Sequence, residues 1–101
     1  MIVYNITAKM ELNLAPEWVN WQQTEHIPEI LSTGCFTACN MFRLLEPSDP
    51  GEVTYVIQYF SDTREDYQRY IEQYAPALRK KAIERWGEQF LAFRTVMELV
   101  N

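Results

Sequence analysis

The segment Trp18–Phe36 constrains the fold most, because a helical pattern in it ends abruptly and passes straight into a strand pattern. Trp18 and Trp21 have the three-residue spacing that marks the buried side of a helix. Pro28 lacks the backbone donor that a continuous helix needs, so we expect a kink or restart just before it. Gly34 then provides a residue suited to the left-handed end of a helix.

Hydrophobic periodicity predicts further strands and helices on both sides of this segment. The predicted strands are Ile2–Glu11, Cys35–Leu45, Val53–Phe60 and Gln89–Leu99, and the predicted helices are Pro16–Glu25 with a continuation to Leu31, then Thr63–Tyr74 and Pro76–Trp86. The order strand, helix, strand, strand, helix, strand is that of ferredoxin-like domains. Right-handed crossovers would place the helices on one face of a four-stranded antiparallel sheet. We therefore predict an α+β, ferredoxin-like βαββαβ fold over residues 1–101, a length typical of one domain.

The charge pattern excludes two classes of partner. The net charge is -5, and the only cationic run is Arg79-Lys80-Lys81. Nucleic acids and anionic membrane surfaces are bound by basic patches, so we expect neither as a partner.

The sequence begins without the charged start and apolar run of a signal peptide, and no apolar stretch reaches the ~20 residues of a membrane helix. These observations predict a cytoplasmic protein.

Two cysteines, Cys35 and Cys39, are the only candidates for disulfide or thiolate chemistry. Four strand residues would separate them by roughly 13 Å, which is too far for a disulfide or for one shared metal ion. We expect reduced thiols, and neither a metal nor a cofactor.

The uncovered face of the predicted sheet mixes apolar and polar residues. A half-apolar face of this size would promote association of monomers, so we expect a two-fold homodimer in which two such faces pack together. Polar mid-strand residues would then line a central cavity and contact a small-molecule ligand. The candidates are Asn5, Thr7, Arg43, Gln58 and Arg94. The two arginines would bind a carboxylate or phenolate in a bidentate way. The alternative is a simple exposed face, and a register error of one residue would invert the assignment.

His26 is the only histidine and the only side chain with an ordinary pKa near neutrality. Beside the helix break it would lie at the rim of the cavity and act as a general acid or base. The alternative is that its ring caps the broken helix. The tryptophans Trp18, Trp21 and Trp86 have a similar pair of interpretations, as core residues or as a wall that stacks on a ligand.

Several ordered sequence blocks also resemble a known family. They are Ile2–Thr7, Trp18–Trp21, Glu25–Pro28, Thr33–Phe36, Gln58–Phe60, Tyr74–Arg79 and Phe93–Thr95. Together they resemble the bacterial domain-of-unknown-function family DUF4286. The resemblance implies a dimeric α+β barrel, a fold shared by cofactor-free monooxygenases of antibiotic biosynthesis and by muconolactone isomerases. It implies no reaction, because the family has none assigned.

Two functions follow as hypotheses. The first is a homodimeric barrel that binds a small organic molecule or packs as an interaction module. The second is a cofactor-free enzyme acting on a small aromatic substrate. In it, His26 would be the acid or base and Asn5, Gln58 and Arg94 would orient the substrate.

Overall fold

The computed structural model describes every residue from Met1 to Asn101. The strands are β1 (Ile2–Glu11), β2 (Ala38–Arg43), β3 (Glu52–Ser61) and β4 (Phe90–Glu98). The α-helices are α1 (Ala15–Trp21), α2 (Ile27–Ser32), α3 (Arg64–Gln73) and α4 (Ala75–Trp86), and a π-helical turn, Gln22–His26, joins α1 to α2. The strands form one antiparallel sheet in the order β2-β3-β1-β4. The predicted ferredoxin-like fold is therefore confirmed.

The helices pack on one face of this sheet. The indole of Trp18 in α1 lies 5.6 Å from the ring of Tyr55 and 5.7 Å from that of Phe90. In α3, the ring of Tyr70 lies 5.8 Å from that of Tyr4. The strand registers put these three sheet residues on the same side. Both helical layers thus cover one face, and the opposite face, which we call the open face, is left without a cover.

Aromatic side chains dominate the core between helices and sheet. Trp18 and Tyr59 are fully buried, and Tyr4, which is 2% exposed, contacts four other aromatic rings. Trp21 and Trp86 are 8% and 3% exposed. All three tryptophans are therefore core residues, as the first of their two interpretations proposed.

The predicted helix break takes the form of the π-helical turn. The backbone N–H of Ile27 donates to the carbonyl of Gln22, five residues earlier, where an α-helix would use the carbonyl four residues earlier. Pro28 follows directly and has no N–H with which to continue the α-helical pattern. The extra residue in the turn changes which side of the helix His26 faces.

The strand boundary that differs most from the prediction is the start of β2. Cys35 and Phe36 precede β2 instead of opening it, and they are only 2% and 5% exposed. Gly34, with φ of 76°, ends the helical segment and turns the chain toward the core. The ring of Phe36 then packs 4.9 Å from that of Tyr70. Cys35 and Phe36 are therefore core residues, and the strand begins after them.

The second half of the chain follows the prediction closely. Thr63 caps α3, because its hydroxyl accepts a hydrogen bond of 3.1 Å from the backbone N–H of Asp66. The helical segment breaks between Gln73 and Ala75, and Gly87 ends α4. None of the helices is long and apolar enough to cross a membrane.

Candidate functional site

The open face consists of side chains that alternate with the buried ones along each strand. Register aligns these side chains into rows that run across the sheet, perpendicular to the strands. One row contains hydrogen-bonding side chains only, and we call it the polar row. In sheet order its members are Asn40, Gln58, Asn5 and Thr95.

Both neighbouring rows are largely apolar. The row on one side contains Ala38, Phe60, Val3 and Met97, and the row on the other side contains Phe42, Val56, Thr7 and Phe93. Several of these large side chains are exposed, with Phe93 at 59%, Phe42 at 49% and Met97 at 42%. The open face therefore presents a polar stripe between two apolar margins.

Asn5 makes the hydrogen bonds of the polar row within the chain. Its side-chain amide nitrogen donates to the hydroxyl of Thr7 and to that of Thr95, at 3.3 Å in each case. These two bonds use both amide hydrogens, so Asn5 presents its carbonyl oxygen as an acceptor. The amide of Gln58, directly opposite Asn5 in register, adds both donor and acceptor groups beside it.

The structure brings together three of the five predicted ligand contacts and separates the other two. Asn5, Thr7 and Gln58 share the open face. Arg43 is opposite Tyr55, and Arg94 is opposite Ile6, so both arginines lie on the helix-covered side of the sheet. They also lie in the two edge strands, β2 and β4. The expectation that they join Asn5 in one site is wrong, because the alternation in both edge strands has the opposite phase.

Sequence reasoning missed two members of the polar row. Asn40 and Thr95 occupy mid-strand positions of the edge strands β2 and β4, where the choice of Arg43 and Arg94 as candidates implies the opposite phase of alternation. The signal that would have found them is the register itself. Once Asn5 is placed on the open face, its neighbours across the sheet follow from the strand pairing.

His26 is placed in the helical layer and away from the polar row. Its ring stacks on that of Trp21, with centroids 4.4 Å apart and planes at 17°. Nδ1 is buried and has no hydrogen-bond partner, so the ring nitrogen does not cap a carbonyl of the broken helix. The prediction that His26 lies at the rim of a cavity between open faces is not met, because the sheet stands between them.

The surroundings of His26 favour the neutral imidazole. Its pKa is lowered from 6.5 to about 4, chiefly by burial; Glu29 opposes this shift, and the cations Arg94 and Lys81 contribute to it. At neutral pH the ring is uncharged and a weak proton acceptor. Beside it, a shallow groove is lined by seven residues: Trp21, Thr24, Glu25, Pro28, Glu29, Ser32 and Lys81.

Other buried polar atoms of the core also lack partners. They are Trp18 Nε1, Gln22 Oε1, Tyr59 OH, Arg79 Nε and Trp86 Nε1. The Tyr59 hydroxyl lies near the thiol of Cys39, its register partner, without the geometry of a hydrogen bond. Burial raises the pKa of both groups, that of Cys39 to about 11. No group of three or more histidine, cysteine, aspartate or glutamate side chains is arranged to hold a metal ion.

The fold and its open sheet face define an α+β protein of the ferredoxin-like class. The chain belongs to the DUF4286 family, a domain of unknown function, whose model matches residues 1–100. No curated protein sequence is significantly similar to the chain.

Solved structures show the same fold at low sequence identity. An EthD-family protein of Bacillus halodurans has a TM-score of 0.69 at 16% identity, over 99% of this chain and 100% of that one. A dimeric ferredoxin-like protein from an uncultured marine organism has a TM-score of 0.59 at 16% identity, over 100% and 96%. A variant of SnoaB, a cofactor-independent oxygenase of Streptomyces nogalater, has a TM-score of 0.60 at 9% identity, over 99% and 94%.

Proposed function

We propose that the protein acts as a homodimer in which two open faces pack together, and that the enclosed polar row binds a small organic molecule. The observation that carries this proposal is the exposure of large apolar side chains on both margins of the row, Phe93 and Phe42 at 59% and 49% on one margin and Met97 at 42% on the other. Side chains of this kind on one contiguous face mark an interaction surface. Support also comes from the marine ferredoxin-like protein, which is described as dimeric.

The size of the open face suits this role. Four strands at ~4.8 Å spacing and nine residues at ~3.3 Å give a flat area of roughly 570 Å². Side-chain relief enlarges that area toward the ~800 Å² that each partner contributes to an interface of standard size. A second copy presents the same mixture of apolar margins and amides. The apolar margins of one copy can pack on those of the other, so the face is complementary to itself.

The molar mass in solution tests the dimer. Light scattering after size exclusion should give twice the chain mass of 12.0 kDa. Phe93→Glu would bury a carboxylate without a partner and should give the mass of a single chain. Ile83→Glu is the matched control, because Ile83 is 66% exposed on α4, on the other side of the sheet. A single-chain mass for the unmodified protein would refute the proposal.

Native mass spectrometry of the purified dimer tests the ligand. A bound small molecule that is lost in the Phe93→Glu variant would support binding between the faces. A stable dimer that neither carries nor takes up any small molecule would favour the interaction module instead.

We also propose a cytoplasmic location, supported by the free thiols of Cys35 and Cys39, because reducing compartments keep cysteines unpaired.

The second candidate is a cofactor-free enzyme in which His26 transfers a proton. The observation in its favour is the neutral imidazole in a π-helical turn, with an unpartnered Nδ1. Turns of this kind occur frequently at functional sites. The fold is also that of the cofactor-independent oxygenase SnoaB. Arg94 lies on the same side of the sheet as His26, whereas Asn5 and Gln58 lie on the other, so the substrate would bind on the helix side.

The protein is incubated with a panel of small phenols and enols, and mass spectrometry detects any products. This experiment tests for enzymatic turnover. Turnover that falls at least about tenfold in His26→Phe, with the fold retained, would support a proton-transfer role. The phenyl ring keeps the stacking on Trp21 and removes both nitrogens. Turnover that survives this substitution would rule out His26 as the acid or base.

A further inference from the structure

The polar row offers hydrogen bonds without charge. Its four members carry three amides and one hydroxyl, and each of these groups is neutral at every physiological pH. Asn5 presents a carbonyl acceptor, since its two amide hydrogens already bind Thr7 and Thr95. Gln58 and Asn40 each add one carbonyl and one amino group. The row thus offers both donors and acceptors.

The charged groups nearest to the row are unsuited to neutralising an anion there. On the open face of β1, Lys9 lies two rows away and pairs with Asp49 and with Glu52, the latter at 3.7 Å. Arg43 and Arg94 lie on the opposite side of the sheet. An anion at the row would therefore lose its hydration without gaining a cation.

The flanking rows give the site its shape. The apolar rows on either side of the polar row bound the ligand site of the proposed dimer, and we call the space between the two copies at the polar row the slot. The apolar margins are roughly 13 Å apart, four residues at ~3.3 Å, which admits a flat molecule of one or two rings. One wall of the slot is the second copy, so the site is incomplete in a single chain.

We propose that this slot binds an uncharged, flat organic molecule that carries both a hydrogen-bond donor and an acceptor, such as a primary amide, a lactam or an imide. The inference rests on the proposed dimer and names its ligand class. A carboxylate of the same shape is excluded, because it has acceptors only and its charge stays unpaired in the slot. Buried donors left without partners add to this discrimination.

Isosteric pairs that differ in charge test the proposal. The probes are benzamide with benzoate, and nicotinamide with nicotinate, titrated calorimetrically into the dimer at pH 7.5. We expect the amide of each pair to bind at least about 100-fold more tightly than its acid, as in sites built around hydrogen-bonding groups. Gln58→Leu should abolish amide binding, whereas Thr54→Val, on the same face and outside the row, should leave it unchanged.

The outcomes distinguish a failure of the proposed ligand class from a failure of the proposed dimer. Binding of the acids as tightly as the amides would overturn the neutral ligand class and leave the dimer standing. A dimer that binds none of the four probes would overturn the class as well, and would mean that the two polar rows pair with each other. A protein that is monomeric by light scattering would instead overturn the proposed function. If Gln58→Leu fails to fold, Asn40→Leu in the edge strand provides the same test.

Discussion

The imidazole of His26 lies flat on the indole of Trp21, with ring centroids 4.4 Å apart and planes at 17°. Trp21 is in turn 5.8 Å from Trp86 in an edge-to-face arrangement, so the histidine ring extends an aromatic stack that begins in α4. Aromatic contacts of this kind need no charge on the imidazole. The stack and the buried Nδ1 together explain why the fold favours the neutral ring.

The stability of the protein should fall in mild acid because of His26. Its pKa is about 4 in the folded protein and 6.5 without the fold, so the unfolded chain binds the proton first. The stabilisation is complete above pH 6.5 and is lost as the pH falls toward 4. We expect a loss of about 2 kcal/mol, less than the full difference in pKa would give, because the ring keeps some solvent contact. Urea unfolding at a series of pH values measures it.

His26→Phe is the control for this titration. It keeps the stacking and cannot bind a proton. The free energy of unfolding of the parent should therefore fall relative to that of the variant between pH 6.5 and pH 4. Titration of carboxylates affects both proteins equally and cancels in the comparison. Parallel pH profiles for the two proteins would show that His26 titrates normally in the folded state.

Two buried tyrosines should respond differently to loss of the hydroxyl. The Tyr4 hydroxyl accepts a hydrogen bond of 3.0 Å from Nη2 of Arg79, whereas the Tyr59 hydroxyl is buried without a partner. Tyr4→Phe should therefore cost about 1.5 kcal/mol, and Tyr59→Phe should be neutral or stabilising, within about 0.5 kcal/mol. Chemical denaturation of the two variants is the measurement. Equal losses would show that Tyr59 has a partner after all.

The cap of α3 should carry measurable stability. Thr63→Ala removes the hydroxyl that accepts from the backbone N–H of Asp66 and should cost about 1 kcal/mol. Thr63→Ser keeps the acceptor and should cost a few tenths of that amount. The midpoint of thermal unfolding compares the three proteins. If the serine variant loses as much as the alanine variant, the methyl group rather than the cap is responsible.

Cys39 should be a slow thiol. Burial raises its pKa from 9.0 to about 11, so at pH 8 the reactive thiolate is roughly 100-fold scarcer than in an ordinary cysteine. Cys35 is 2% exposed and is shielded by burial itself. Iodoacetamide should label neither thiol readily in the native protein and both after unfolding. Peptide mapping measures the rates, and rapid native labelling at Cys39 would contradict the expected shift.

The sequence pattern predicted the topology and the two faces of β1, but it misassigned both edge strands. In β4 the more apolar set, which includes Leu91, Phe93 and Met97, lies on the open face, and Arg94 lies on the helix side. The usual inference is that the more apolar side of a strand faces the core of its own chain. That inference fails where the open face is itself apolar, and the error moved Arg94 and Arg43 into the wrong site.

The position of His26 was beyond the reach of the sequence for a different reason. Pro28 predicts that the helix is interrupted, but the same residue is compatible with a kink, a restart or a wider turn. Each choice rotates the preceding side chain to a different side. The structure inserts the extra residue before Ile27, and this directs the His26 ring onto Trp21, five residues earlier.

Because the edge strand β4 is exposed, the state of the protein should depend on its concentration in the cell. Seven of its nine residues are exposed, and one of its backbone edges is unpaired in the sheet order β2-β3-β1-β4. The open-facing side chains of β4, Leu91, Phe93 and Met97, are also exposed, and in the proposed dimer a second copy covers them. Because dimerisation depends on concentration, scarce protein would stay monomeric and be more open to proteolysis, whereas abundant protein would be stabilised by its own dimer.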